Sequence, residues 1–306
     1  KLGPYHPKVG SLYDNIGVAH HRLNDFQKAI EFSQKSLDIK IKNGGGQALG
    51  TAYSYTNLAR YYAKKKQYRF DFYEKAINIL INLFGENHHT LATVYGNLGM
   101  TQVLAGNFHI ATENLKKSLE LRLKLLGEVH YDVITSYDNL GYCYDEMKDY
   151  ESAIRYYEKA LALSVQMFGE KNTNSIGLYN SLASTYKHKR MFNQAILNYN
   201  TSISLAGNLE QKAMPYNSLK NIYLYFYKQK PDSIFHLRSA HSYALQALAA
   251  LEYQQKGITS EGSKAQLADN HYNVYEGAIE TSLLVADLDH NDSLRHAAFD
   301  YSERSK

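Results

Sequence analysis

Two adjacent histidine pairs and a single cysteine are the side chains most capable of chemistry in this 306-residue chain. The pairs His20-His21 and His88-His89 could ligate a metal ion, and the Cys143 thiol could act as a nucleophile. Neighbouring residues on a helix point about 100° apart, so the two imidazoles of a pair cannot bind one ion. No basic residue flanks Cys143 in sequence to lower the pKa of its thiol. We therefore expect neither a metal site nor a catalytic cysteine.

The sequence offers little support for cofactor, nucleic-acid or membrane binding. The glycine run Asn43-Gly44-Gly45-Gly46 follows a predicted helix and lacks the lysine and hydroxyl residue of a phosphate-binding loop, so we interpret it as a linker. The 34 basic and 30 acidic residues are mixed along the chain, and their net charge of +4 is small for a nucleic-acid or anionic-membrane binder. No apolar run approaches the roughly 18 residues of a membrane span. We expect a soluble, cytoplasmic, non-enzymatic chain without a cofactor.

A ladder of tyrosines divides the chain into repeats. The pattern Tyr-x-Asn-(Leu/Ile)-(Gly/Ala) occurs four times, and two weaker copies follow it. Its marker tyrosines are 42, 40, 42, 42 and 37 residues apart, at Tyr13, Tyr55, Tyr95, Tyr137, Tyr179 and Tyr216. A second segment follows each marker, and in the segment from Asp149 the apolar residues step by three and four along one helical face. Each copy therefore predicts two helices joined by a tight turn.

The repeats predict an array of helical hairpins rather than separate globular domains. Glycines in the linkers, at Gly85, Gly127 and Gly169, are typical of a helix C-terminus that turns through a left-handed backbone. One hairpin cannot bury both of its faces, so neighbouring hairpins must stack. We predict six hairpins within residues 1–256 and an atypical seventh pair within 257–306. The six predicted hairpins span about 8–43, 49–84, 90–126, 132–168, 174–207 and 211–256.

The fourth copy resembles the tetratricopeptide repeat family. Its matching residues are Tyr137, Leu140, Gly141, Tyr144, Ala153, Tyr157 and Ala160, with Tyr137 in place of the usual tryptophan. The 42-residue period and the Gly-Glu-x-His linkers resemble the kinesin-light-chain subtype. This resemblance implies an all-α, right-handed α-solenoid of stacked helix-turn-helix repeats. It also implies a scaffold that binds a peptide or partner protein on its concave surface.

Two copies and the last segment depart from this pattern. The second copy is two residues shorter than the fourth between Tyr68 and Ala76, which predicts a shortened or locally rearranged helix. The sixth copy carries an insertion around 229–233. Residues 273–280 and 292–306 resemble the segment before the protease-like domain of bacterial CHAT proteins, which join such repeats to a caspase-like cysteine peptidase. This second resemblance implies an alternative role as a regulatory or sensor module for a C-terminal peptidase domain in the same polypeptide. Both ends of the chain look like cuts within a longer protein.

In the family, the residue before Leu-Gly points into the concave groove. The residues at this position are Asn15, Asn57, Asn97, Asn139, Ser181 and Ser218. An asparagine amide is both a donor and an acceptor, so a row of asparagines can bind the backbone of an extended peptide without reading its side chains. The alternative is that these amides bond to neighbouring helices and only hold the superhelix.

Charged residues at related positions predict an electrically uneven groove. The first two repeats present basic side chains, at Arg22, Arg60 and Lys64, and the fifth presents Lys187. The fourth repeat presents Asp138, Tyr142, Asp145 and Glu146. Separated charges of this kind would orient a ligand, because electrostatic complementarity contributes register more than affinity. The alternative is that these are ordinary solvated helix residues.

Overall fold

The computed structural model describes residues 6–256 and 261–305, and in these ranges the chain forms fourteen α-helices and no β-strand. The helices are α1 (Pro7–Arg22), α2 (Phe26–Lys42), α3 (Leu49–Lys64), α4 (Phe70–Phe84), α5 (His89–Leu104), α6 (Phe108–Leu126), α7 (Tyr131–Glu146), α8 (Tyr150–Phe168), α9 (Ile176–His188), α10 (Phe192–Leu205), α11 (Ala213–Gln229), α12 (Ile234–Lys256), α13 (Glu261–Asp289) and α14 (Asp292–Arg304). The fold is an all-α solenoid of helical hairpins, as the repeat predicted.

The chain divides into two compact units, Lys1–Met167 and Phe168–Lys306, here called unit one and unit two. This division falls inside the predicted six-hairpin segment 1–256 rather than at its end. Residues 257–260, where the seventh pair was predicted to begin, lie outside the described residues. Within the described part of the chain, no helix is both long and apolar enough to cross a membrane.

The two helices of a pair are joined by a turn that the sequence specifies locally. In most pairs the turn has three residues, and its middle residue has a positive φ, as in Asn24 (58°), Gly106 (79°) and Lys148 (64°). The next backbone N–H then reaches back to the carbonyl five residues earlier, for example from Asp149 to Tyr144 at 3.0 Å. This is the C-terminal cap that a left-handed residue allows. It ends the first helix and sets the direction of the second.

Unit one contains four helix pairs arranged in two layers. The first helices contact one another in sequence, α1 with α3, α3 with α5 and α5 with α7. Each second helix also packs on the first helix of the next pair, α2 on α3, α4 on α5 and α6 on α7. A continuous core results, which contains Leu58, Tyr73, Leu80 and Leu91 among its fully buried residues. The first helices therefore form one layer whose outer side is free of the second helices.

The second pair departs from the regular pattern at the start of its second helix. Helix α4 has 15 residues, against 17 in α2, 19 in α6 and α8 and 14 in α10. Arg69 precedes the first residue of α4, and its guanidinium lies 3.9 Å from the centroid of the Phe72 ring and 2.9 Å from the Asp71 carboxylate. The missing first turn is thus replaced by a five-residue connection, 65–69.

Unit two contains three further pairs. Ala183, Ala195, Tyr199 and Leu219 belong to one core cluster, between α9, α10 and α11. A second cluster joins α12 and α13 and includes Ala244, Ala247, Leu248, Leu251, Val274, Tyr275 and Ala278. The connection between α11 and α12 has four residues, 230–233, one more than the turns of the regular pairs. The predicted insertion therefore lengthens this turn.

Candidate ligand-binding face

Four positions on each first helix of unit one form a stripe that faces solvent. They lie two residues before the marker tyrosine and two, five and nine residues after it, a spacing that returns to one side of a helix. Every residue of the set is exposed or half-buried. The set is Ser11, Asn15, Val18 and Arg22 on α1; Tyr53, Asn57, Arg60 and Lys64 on α3; Thr93, Asn97, Met100 and Leu104 on α5; and Thr135, Asn139, Tyr142 and Glu146 on α7.

The four stripes lie side by side because the first helices contact one another in order. The opposite side of each helix is core; on α3, for example, Leu58, Ala59 and Tyr61 are buried. The surface defined by these stripes is called the first-helix face. It is the one broad surface of α1, α3, α5 and α7 that neither the core nor the second helices cover among the described residues.

The predicted asparagines form a row across this face. Asn15 is exposed, and Asn57, Asn97 and Asn139 are half-buried. Within the described part of the chain, none of these four amides hydrogen-bonds to another residue, in contrast to the buried Asn114, which donates to Gln102 at 3.0 Å. The contacts therefore favour an open row over the alternative in which the amides tie neighbouring helices together.

One end of the face is basic. Arg22, Arg60 and Lys64 are all exposed on α1 and α3. Burial, and then the positive charges of Arg60 and Lys64, lower the pKa of His21. The His21 ring stacks on Tyr61, with 4.8 Å between the ring centroids, so it belongs to the packing between helices rather than to the open face.

The other end is acidic, although less so than the sequence suggested. Glu146 is exposed and Tyr142 is half-buried beside it. Burial, together with the charge and hydrogen bond of Glu146, raises the pKa of Tyr142. Asp138 and Asp145 do not belong to the stripe; both are half-buried at its side, and burial raises the pKa of Asp138 to about 6.

An apolar section between the two ends was missed by the sequence reasoning. Met100 is half-buried and Leu104 is 47% exposed, and both occupy stripe positions on α5. Tyr53, at a stripe position on α3, is also exposed here. The signal that could have found these residues is their distance from the marker Tyr95, which equals that of Arg60 and Lys64 from Tyr55.

The predicted groove residues of unit two are half-buried or buried. Ser181 and Lys187, on α9, are half-buried. The prediction that Ser218 lines an open groove is wrong, because this residue is only 8% exposed. Its hydroxyl lies 3.7 Å from the sulfur of Met214, one turn earlier on α11. The exposed Met214 side chain lies over this position, so the serine does not face a ligand.

Cys143 and His88, two of the side chains most capable of chemistry, have roles in packing and helix capping. Cys143 is buried against Thr112 and the Phe108 carbonyl, and burial raises the pKa of its thiol. The His88 ring accepts a hydrogen bond from the Thr90 N–H at 3.2 Å and so caps α5. Across residues 6–256 and 261–305, no group of three or more histidine, cysteine and acidic side chains could hold a metal ion.

Solved structures share this fold at low sequence identity. A putative kinesin light chain from Podosopora anserina with nearly identical TPR-like repeats is 17% identical, with a TM-score of 0.56 over 65% of this chain and 96% of that one. The apo form of RapI is 17% identical, with a TM-score of 0.58 over 97% of this chain and 96% of that one.

Curated sequences and a family model give the remaining comparisons. The clustered mitochondria protein homolog of Homo sapiens is 28% identical over 89 residues, which cover 28% of this chain and 7% of the human protein. The chain thus spans less than a tenth of that relative's length. The tetratricopeptide repeat model matches residues 8–69, 70–124 and 103–166, which together exceed half of the chain. With its stacked helical hairpins, the chain belongs to the tetratricopeptide repeat family.

Proposed function

We propose that the chain is a protein-interaction scaffold that binds an extended peptide, or an extended segment of a partner protein, on the first-helix face. The observation that carries the proposal is the row of open asparagine amides, flanked by basic residues at one end and an acidic residue at the other. The tetratricopeptide fold itself supports a protein-interaction scaffold. It presents a broad surface rather than an enclosed pocket.

Different residues of the face would make different kinds of contact with a bound peptide. The amides of Asn57, Asn97 and Asn139 can each donate to a peptide C=O and accept from a peptide N–H. An acidic ligand residue would lie near Arg60 and Lys64, and a basic one near Glu146, so the charges would set the direction of the chain. Between the basic and acidic ends of the face, apolar ligand residues would contact Met100 and Leu104.

The test is a binding measurement with ligands selected on the chain itself. Peptides of random sequence are selected on the whole chain, and their affinities are measured for Asn57→Ala, Asn97→Ala and Asn139→Ala combined. Each lost hydrogen bond is worth roughly 0.5–1.5 kcal/mol, so the triple variant should bind at least about tenfold more weakly. Because these side chains are not in the core, helicity measured by circular dichroism should be unchanged.

A matched control removes asparagine amides from the layer of second helices. Asn78 and Asn82 are exposed on the second helix α4, and the double variant Asn78→Ala, Asn82→Ala should bind the selected peptides as the unmodified chain does. If the triple variant keeps full affinity, the assignment of the asparagine row as the binding surface is wrong.

A second candidate function is control of a peptidase domain that follows in the same polypeptide. The segment resemblance suggests it, and the last helix pair carries exposed apolar side chains, with Phe299 68% exposed and Tyr272, Leu283 and Leu288 also exposed. Such residues suit contact with a further domain. The coding sequence should then continue past Lys306 into a domain with a catalytic histidine and cysteine. A stop codon shortly after Lys306 would contradict this role.

A further inference from the structure

A lysine on the second helix follows the marker tyrosine in each pair of unit one. It is the tenth residue of α2, α6 and α8, and on the short α4 it is Lys75; the other three are Lys35, Lys117 and Lys159. The Lys117 Nζ atom lies 5.5 Å from the centroid of the Tyr95 ring, and the Lys75 Nζ atom lies 5.5 Å from that of the Tyr55 ring. An ammonium at this distance is attracted by the negative face of an aromatic ring. The second and third pairs therefore supply their marker tyrosine with a cation of their own.

The sixth pair, in unit two, has a tyrosine in place of this lysine. Tyr243 is the tenth residue of α12, and the centroid of its ring lies 6.1 Å from that of the marker Tyr216. A third tyrosine, Tyr223 on α11, stacks on Tyr243 with 5.6 Å between the ring centroids. All three rings are half-buried. The sixth pair thus has additional aromatic rings where other pairs have a cation.

A fourth ring, that of Phe235, extends this group toward solvent. The second residue of the second helix is polar in four other pairs, where it is Gln27, His109, Glu151 or Asn193. On α12 it is Phe235, which is 67% exposed, and its ring centroid lies 6.3 Å from that of Tyr223. Packing of the core does not account for a phenylalanine that remains largely in contact with water. Its place at the edge of the tyrosine group suits contact with a ligand.

The four rings line an open cleft of about 410 Å³ between α10, α11 and α12, here called the aromatic cleft. The other lining residues are uncharged, and they are Asn200, Ile203, Ser239, Ser242 and Gln246. The corresponding cleft of the third pair, beside Tyr95, has a volume of about 280 Å³ and is lined by the charged residues Lys117, Glu86 and Glu120. Among the described residues, the aromatic cleft is therefore lined by rings and neutral polar groups, without a cation or a carboxylate of its own.

The chemistry of this lining selects the ligand. The faces of aromatic rings attract cations, and in the second and third pairs a lysine ammonium takes that place. A primary ammonium ion is strongly hydrated and is normally paired when it is buried, but no carboxylate lines the aromatic cleft. A quaternary ammonium ion has no N–H groups that need acceptors, and aromatic rings are its usual partners in proteins. We propose that the aromatic cleft binds a quaternary ammonium ion, with the rings of Tyr216, Tyr223, Tyr243 and Phe235 as its partners.

The experiment compares two ligands of the same shape on the whole 306-residue chain, in titrations followed by proton NMR. One is choline, and the other is its neutral isostere, in which a tert-butyl group replaces the trimethylammonium group. Choline should bind at least about tenfold more tightly, because several rings attract its charge. Its N-methyl resonance should move upfield, because the faces of the rings shield the bound protons.

A third ligand distinguishes the two sources of a quaternary ammonium group. The amide of acetylated trimethyllysine carries the group on an amino-acid side chain, whereas choline is a free small molecule. Tighter binding of choline would identify a small-molecule site, and tighter binding of trimethyllysine would identify a site for a methylated protein. Either result supports the aromatic cleft as a quaternary ammonium site.

Three variants localise the binding. Tyr243→Lys gives α12 the lysine that α2, α6 and α8 carry, so its own ammonium should exclude choline and lower the affinity by about tenfold or more. Phe235→Leu removes an exposed ring, so it should weaken choline binding by about threefold or more without lowering the melting temperature. The control is Tyr253→Leu, which removes a ring that is 58% exposed on the same helix but outside the cleft, and it should leave the affinity unchanged.

Three results would overturn the proposed site. They are the absence of any shift of the choline N-methyl resonance, equal affinity for choline and its neutral isostere, and equal affinity of the unmodified chain and Phe235→Leu for choline. Because Phe235 is exposed, the last comparison stays decisive even if Tyr243→Lys lowers the stability of the chain. The aromatic cleft lies in unit two and shares no residue with the first-helix face, so these results are independent of the proposed function.

Discussion

The substitution Gly141→Val should destabilise unit one by about 3 kcal/mol, one of the larger effects expected of a single core change. A Cβ atom at Gly141 would lie 2.7 Å from two carbon atoms of the Tyr157 ring, on the partner helix α8. That ring is 2% exposed and cannot turn away without displacing its neighbours. The absence of a side chain here is therefore what lets α7 and α8 approach each other. Urea unfolding followed by circular dichroism measures the loss.

The control for this prediction is the same substitution at Gly177, on α9. A Cβ atom at Gly177 would meet no atom within 4 Å, and the residue is exposed. Gly177→Val should therefore change the free energy of unfolding by no more than about 0.5 kcal/mol. Equal effects of the two substitutions would show that helix propensity, rather than close packing at Gly141, decides the outcome.

The substitution Asp138→Asn should stabilise unit one by about 2 kcal/mol at pH 7. Burial raises the pKa of Asp138 from 3.8 to about 6, so the folded chain binds a proton more readily than the unfolded chain does. Ionised Asp138 therefore costs stability in the folded state at neutral pH. An asparagine of the same shape removes that cost.

The pH dependence checks the cause of this gain. An acid whose folded pKa is raised stabilises the folded chain below pH 4, and this contribution is lost as the pH rises through about 6. The difference between Asp138→Asn and the unmodified chain should thus be largest above pH 7 and small near pH 4. Asp38→Asn, at an exposed position on α2, should show no such gain. A gain that is the same at both pH values would contradict burial as the cause.

Much of the fold could be predicted because the repeat marks the same structural position in each copy. The tyrosine ladder and the apolar spacing predicted paired helices, and the all-α solenoid confirms that fold class. The two-residue deficit before Ala76 predicted a change in this helix, and a five-residue connection replaces the regular turn before α4. These features are local, since they follow from helix period and turn chemistry alone.

The site was less predictable because exposure depends on neighbouring helices. The offset from the marker gave Asn57 and Asn97, which are half-buried, but the same offset gave Ser218, which is buried beside Met214. Apolar residues such as Leu104 are read from sequence as core, so the middle of the face was missed.

The most direct test of the central claim is to find where a bound ligand lies. A peptide selected on the whole chain is synthesised with a photoreactive benzophenone in its middle, cross-linked to the chain and mapped by mass spectrometry. The first-helix face predicts cross-links to α3 and α5, within 53–64 and 93–104, that an excess of the unlabelled peptide suppresses. Cross-links confined to the second helices α2, α4, α6 and α8 would contradict it.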